Sequence, residues 1–312
     1  IEGDEGNDPD RLLKKLLIAS EKAIGAFDSN LGSCFYDAEM EKEITREQDI
    51  KGELTQIAED KEIRALFLQF QPIFDLRSGS VCGFEALARI RSEKLGLISP
   101  LEFIPIAEKT KLILPLGEKI ILRSFDFLNT LRENGYPHIS ISINISAIQL
   151  LSSNFVKNLC HMIAEKNICP ENVALEITES VFASNYEEIN CKLGELRSLG
   201  IRISIDDFGT EYSSLARESE LNVNCLKIDK IFIDKLLTLD KEKAITGDII
   251  SMAHRMGHYV IAEGVEEERQ MEYLKAHNCD KIQGYFISRP IDIDQAIKFI
   301  MDQSNEYLSS NR

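Results

Sequence analysis

Residues 201–210 read IRISIDDFGT. Ile201, Ile203 and Ile205 fall on one side of this run and Arg202 and Ser204 on the other, which is the period of a β-strand. The strand breaks off into Asp206 and Asp207, then Phe208 and Gly209. Two adjacent carboxylates at the tip of an apolar strand repel each other and raise at least one pKa. A divalent cation removes that repulsion, because hard cations take oxygen ligands. Aspartate is also a common turn residue, so the dipeptide by itself reads as a plain loop start as well.

The same texture extends to both sides. Strand-like pieces recur from residue 66 onward: LFLQFQPIFDL, SVCGFEALARI, ISISINIS, NVALEIT, IRISIDD, CLKIDKIFI, YVIAEGV and KIQGYFI. Between most of them lie helical patterns such as SPLEFIPIAEKT, LGEKIILRSFDFLNTLREN and NYEEINCKLGELRSLG. Eight strands alternating with helices over roughly 240 residues fit a (β/α)8 barrel, with a doubly wound open sheet as the alternative. The first two strands are joined by Arg77-Ser78-Gly79-Ser80, a hairpin turn and not a helix. The expected fold class is therefore α/β, a TIM-like (β/α)8 barrel with one antiparallel strand and an N-terminal helical extension.

Barrels of this kind do their chemistry at the C-terminal ends of the strands. Those ends carry Glu85, Asn144, Glu176, Asp206 with Asp207, Lys227, Glu263 and Gln283, each set in an apolar strand. Glu85 could face solvent, Lys227 could form a strand-end salt bridge and Gln283 could cap a loop. As a set, however, carboxylates gathered at one end of a barrel need compensation. With Asn144 they supply enough oxygens for two Mg²⁺ or Mn²⁺ ions. Two such ions suit phosphodiester hydrolysis. Lys227 would add positive charge near the attacking water or the phosphate.

Composition narrows the classes. A chain of 312 residues holds one large α/β domain with an appendage or two ordinary domains, and 44% hydrophobic residues support a core. A formal charge of -16 argues against a nucleic-acid polymer as partner. The seven cysteines are odd in number and show no CxxC spacing, which reads as reduced thiols in a cytoplasmic protein. No apolar run is long enough to span a membrane and no signal peptide is visible. The chain begins at Ile1, so a fragment is expected, with any anchor or sensor upstream.

Ahead of residue 66 the signals are weaker. Residues 1–10 are loop-like, and Asp10 suits the N-cap of a helix carrying Leu12, Leu13, Leu16, Leu17, Ala23 and Ile24. Asn30 and Gly32 end it. Asp37 then opens a charged run read as a solvated connector with a partner face at Ile44 and Ile50.

The ordered motifs resemble the EAL family of cyclic-di-GMP phosphodiesterases. They are QPI (71–73), Glu85-Ala86-Leu87 followed by Arg89, SPLEFIPIAE (99–108), INIS (143–146), LEITES (175–180), DDFGT, LKID (226–229), AEGVE (262–266) and QGYFISRP (283–290). The resemblance implies hydrolysis of cyclic di-GMP to linear pGpG with two Mg²⁺ or Mn²⁺ ions. By position, Glu85, Asn144, Glu176, Asp206, Asp207 and Glu263 would be ligands. Lys227 would sit by the attacking water, as its base in one version, and Gln283 would orient the water or a ligand. Gln71, Leu87 and Arg89 would hold the dinucleotide. Glu179 would brace the loop after Asp207, which in this family also serves a dimer interface, so a homodimer is implied.

Three departures stand out. Glu211 and Lys111 occupy positions where the family usually has glycine, and 216–224 is more polar than usual. Glu211 keeps a second reading open, a cyclic-di-GMP receptor that binds without turnover and signals through the N-terminal helix. Residues 1–61 are similar to the tail of a GGDEF domain and its connecting helix, so a GGDEF region or sensor is implied upstream. The expected limits are 1–61 for that remnant, 62–305 for the EAL domain and 306–312 for a tail.

Overall fold

The computed structural model describes residues 38–62, 64–183, 185–209, 220–238 and 244–310, with Leu16, Ser20 and Tyr36. Leu16 and Ser20 are helical. The rest of the stripe from Leu12 to Ile24, Glu211 and residues 216–219 lie outside the described residues.

Strand β1 (Leu66–Asp75) and strand β2 (Ser80–Ser92) form the expected hairpin, in register from Leu66 opposite Ile90 to Asp75 opposite Ser80. Asp75 closes its turn by accepting the Arg77 and Ser78 N–H groups. Strand β3 (Gly96–Ile98) pairs antiparallel with the end of β2 and was not anticipated, being three residues long. Strands β4 (Ser140–Asn144), β5 (Val173–Thr178), β6 (Arg202–Phe208), β7 (Cys225–Ile228), β8 (Tyr259–Ala262) and β9 (Lys281–Ile282) follow β2 in parallel order. β1 pairs antiparallel with both β2 and β9 and so closes the barrel, leaving β3 outside the ring.

The described helices are α1 (Ala38–Ala58), α2 (Pro100–Lys109), α3 (Ile113–Glu133), α4 (Ala147–Leu151), α5 (Phe155–Glu165), α6 (Tyr186–Ser198), α7 (Lys230–Thr238), α8 (Thr246–Arg255), α9 (Glu268–Ala276) and α10 (Ile293–Ser310). Alternation along the strands divides the molecule. Ile141, Ile143, Leu175, Ile177, Ile203, Ile205, Leu226 and Ile228 point outward into the core shared with the helices. The other face points into the barrel. There Ile73, Cys225 and Ile261 form a small apolar floor, and the polar positions stand above it.

Two stretches end sooner than expected. CLKIDKIFI is a strand only to Ile228; helix α7 begins at Lys230, with Asp229 accepting the Ile231 N–H. KIQGYFI is paired only at Lys281 and Ile282, after which Ile287 and Ser288 both donate to the Gly284 carbonyl in a turn.

The solvated connector is also corrected. α1 buries Ile50, Leu54 and Ile57 against Phe103, Ile106 and Leu116 in a second apolar cluster. Ile50 is thus a core residue, while Ile44 is half-buried. Ion pairs Lys109–Glu47 (3.0 Å) and Lys94–Asp49 (2.7 Å) flank that seam, with Ser92 Oγ donating to Glu53 at 2.6 Å. Arg46 reaches Glu102, whose carboxylate also completes the capping box with Ser99 at the start of α2. Lys111, in the turn between α2 and α3, has φ 59°. That is the left-handed region, which explains why glycine suits the position.

Candidate active site

The parallel ladders bring the strand ends to one level. Asn144 stands opposite Glu176, and Thr178 opposite Asp206, while the hairpin sets Gln71 opposite Glu85. Glu85 is buried and clamped by two amides. Asn144 Nδ2 donates to its Oε1 at 2.7 Å and Gln283 Nε2 to its Oε2 at 2.6 Å. The same Gln283 nitrogen reaches Gln71 Oε1 at 3.2 Å, and Gln71 Nε2 donates to the Ser288 carbonyl.

Lys227 is fully buried at the centre of this ring. Its Nζ lies 2.5 Å from Glu263, 2.6 Å from Glu176, 3.1 Å from Asp206 and 3.8 Å from Glu85. Burial works against its charge, but the surrounding carboxylates outweigh that and hold its pKa well above the ordinary lysine value. Lys227 is a cation here.

One cation does not balance that many acids. Burial pushes Glu176 well above the usual carboxylate range despite Lys227, with Glu85, Asp206 and Glu263 adding repulsion. Burial likewise pushes Glu263 up to about 8 against the pull of Lys227. Asp207 is pushed up to about 6, first by burial, then by Asp206 and Asp229. Its backbone has φ 54°, a conformation aspartate tolerates better than most residues. Beyond it, the Gly209 N–H donates to Glu179 Oε2 at 3.1 Å. A Cβ on Gly209, at φ 88°, would press on the Phe232 ring at 3.1 Å, so the chain turns there only as glycine.

Asp206, Asp207 and Glu263 offer oxygens within 4.8 Å of one another, a grouping able to hold a metal ion. Two buried oxygens support that fit: Glu176 Oε1 accepts no hydrogen bond, and Asp206 Oδ1 has only its ion pair with Lys227. Hard oxygen donors and a surplus of negative charge match Mg²⁺ or Mn²⁺ chemistry.

Above the ring, Arg89 Nε donates to Gln69 Oε1 and its Nη1 to the Ala88 carbonyl, both at 2.9 Å. Leu87, half-buried, lies between Glu85 and Arg89 on the same strand face and opposite Gln69. Two participants were not singled out from sequence. Asp229 hydrogen-bonds Asp207, and its signal was the second acid of LKID. Gln69 holds Arg89, and its signal was an amide two residues before Gln71, on the same strand face.

The sequence profile of the EAL domain matches residues 55–290. The chain belongs to the EAL domain family. This EAL domain is 39% identical over 239 residues to the signaling protein YkoW of Bacillus subtilis, covering 77% of this chain and 30% of that protein. It is 32% identical over 298 residues to the cyclic di-GMP phosphodiesterase NbdA of Pseudomonas aeruginosa, covering 95% of this chain and 37% of NbdA. The solved complex of the PaMucR phosphodiesterase with c-di-GMP matches with a TM-score of 0.74 at 33% identity, covering 80% of this chain and 99% of that one. The chain thus spans about a third of the length of these curated relatives. The profile match begins inside α1, and the GGDEF-like similarity ahead of it has no counterpart there. Among the described residues no helix is long and apolar enough to cross a membrane.

Proposed function

We propose that this EAL domain hydrolyses cyclic di-GMP to linear pGpG with two bound Mg²⁺ or Mn²⁺ ions. The observation that carries the reading is the ring of buried carboxylates around Lys227, whose negative charge the lysine alone does not balance. Glu85, Asn144, Glu176, Asp206, Asp207 and Glu263 would hold the ions, which when bound activate a water and stabilise the displaced oxygen. The rest is the work of side chains. Asn144 and Gln283 fix the Glu85 carboxylate from two sides. Glu179 pins the backbone just past Asp207. Lys227 is a fixed positive charge and a donor toward oxygens at the ring, placed to sit by the attacking water. Arg89 keeps Nη2 and a second Nη1 proton for a phosphate oxygen, a role that suits a forked guanidinium. Gln71 and Leu87 complete the wall beside it.

The names of NbdA and PaMucR support the substrate. The same proposal takes residues 62–305 as the catalytic domain, with 1–61 as the end of a GGDEF-like region and its connecting helix. It places the protein in the cytoplasm as a homodimer.

The test is chromatographic. The chain is incubated with cyclic di-GMP and Mg²⁺, Mn²⁺ or EDTA, and pGpG is sought. Metal-dependent pGpG is expected from the wild type and none from Glu85→Ala. Intact substrate in every tube, with measurable binding, would replace the enzyme by a receptor.

A further inference from the structure

The three acids able to hold an ion come from two separate pieces of chain. Asp207 sits near the end of β6 and hydrogen-bonds Asp229, which also accepts the Ile231 N–H at the first turn of α7. Glu263 opens the loop between β8 and α9. Its N–H donates to the Ile228 carbonyl at 3.0 Å, and beyond it the chain leaves the sheet. An ion shared by Asp207 and Glu263 therefore needs α7 and this loop to keep a fixed separation.

One side chain outside the site spans that separation. Gln270, in the first turn of α9, is fully buried, although Glu266, Glu267, Glu268 and Arg269 just ahead of it are exposed. Its Oε1 accepts the Glu266 N–H at 2.8 Å and the Glu267 N–H at 2.9 Å. Its Nε2 donates to the Ile233 carbonyl of α7 at 3.1 Å. The bond to Glu267 belongs to the capping box that starts α9. The bond to Ile233 does not: it joins the loop to a different helix.

The two pieces touch there, since a Cβ on Gly264, at φ 68°, would collide with the Lys230 side chain. Lys230 also reaches Glu266 at 3.0 Å, but these side chains are 43% and 44% exposed, and water screens the pair. The buried amide is the stiffer tie. Only an amide accepts two N–H groups with one end and donates to a carbonyl with the other; a carboxylate has no proton to give. On its far side the loop is pinned as well. Val265 N–H donates to the Gln283 carbonyl at 3.1 Å, and the Val265 carbonyl accepts the Phe286 N–H at 2.9 Å.

We propose that Gln270 is a positioning residue for the metal ligands: it holds the Glu263 loop at a fixed distance from the helix that follows Asp229, the partner of Asp207. The inference rests on the two-ion reading above and adds to it the group that sets the spacing of two ligands. Gln270 touches neither ion nor substrate and acts through the backbone.

Calorimetric titration with Mn²⁺, without substrate, tests this on wild type, Gln270→Glu, Gln270→Met and Glu267→Ala. Gln270→Glu keeps the acceptor and loses the donor to α7. Gln270→Met keeps the bulk and loses all three bonds. Glu267→Ala weakens the start of α9 and leaves the tie to α7 in place. Both changes at 270 are expected to raise the Kd of Mn²⁺ about tenfold, the scale seen when an outer partner of a metal ligand is removed. Glu267→Ala should lower the melting temperature, as cap removal does, and leave that Kd within about twofold of wild type. At saturating Mn²⁺, pGpG formation by Gln270→Glu should return to within about threefold of wild type. Wild-type Mn²⁺ affinity in Gln270→Glu overturns the inference. So does an equal loss in Glu267→Ala, which would reduce Gln270 to a helix cap, and so does a deficit that saturating Mn²⁺ leaves unrepaired. Should Gln270→Glu not fold, Gln270→Met against Glu267→Ala decides the same question. The two readings fail separately. A wild type that takes up no Mn²⁺ ends the two-ion reading and this inference with it. A wild type that binds Mn²⁺ and forms pGpG, while both variants at 270 bind the ion equally well, ends only the role of Gln270.

Discussion

Lys227 shows what a buried charge is for at this site. Placed alone in a barrel it would be expensive; among Glu85, Glu176, Asp206 and Glu263 it becomes the group that makes their burial tolerable. Lys227→Met should therefore cost about 3–5 kcal/mol in EDTA, read by urea unfolding, because the acids lose their one counter-charge. Added Mn²⁺ should restore more stability to the variant than to wild type. Unchanged unfolding in EDTA would contradict this account. Glu263 gives a pH test. Its folded pKa, near 8, lies above its unfolded value of 4.5. Below about pH 4.5 both states are protonated and nothing is lost; as pH rises toward 8 the unfolded state ionises first and the metal-free fold is penalised. Glu263→Gln removes the penalty. Its stability relative to wild type in EDTA should rise between pH 5 and pH 8, and a constant difference would refute the assignment. These residues were legible because each is a charge in an apolar strand. Gln69 was not, since an amide in a strand-like run raises no electrostatic objection.

At the scale of elements, α1 is the instructive case. Its apolar positions were visible as a one-sided stripe, but a sequence does not show what a stripe faces. The structure sets Ile50, Leu54 and Ile57 against α2 and α3. Leu54→Ala should destabilise the protein by about 2–4 kcal/mol, whereas Ile44→Ala, on a half-buried position outside that cluster, should cost under about 1 kcal/mol. Equal effects in denaturant melts would mean that the seam is not a core. The two strands read too long failed for a different reason. In CLKIDKIFI the apolar residues suit either a strand or the first turn of a helix, and periodicity does not separate them over so few positions. Asp229, capping α7, was the punctuation that decided it. In KIQGYFI the turn at Gly284 was the break, and its cause lies in Val265, far away in sequence.

Over the whole molecule, the eight strands of the ring were legible, β3 aside, because alternation of strand and helix has few compact solutions. The sealing of the ring by β1 followed from one hairpin turn. The proposed metal dependence belongs to this scale too, since the residues that would hold the ions come from strands spread around the ring. Mn²⁺ at about a hundred times its Kd should stabilise the fold by roughly 2.7 kcal/mol, and EDTA should reverse it. Ca²⁺, larger and looser in geometry, should compete with Mn²⁺ and suppress turnover; full activity in Ca²⁺ would rule out the two-ion arrangement.

The reversal of β1 carries one more implication. Because that strand runs against its neighbours, Leu66 stands beside Ile90, at the end of β2 that opens toward the chemistry. An ordinary barrel is threaded from the floor. This one is threaded from above, so α1 joins the barrel at the rim that carries the carboxylate ring. Ser92 and Lys94, on that rim, are tied to Glu53 and Asp49 of α1, so a displacement of the helix bears directly on the lip and not through the barrel wall.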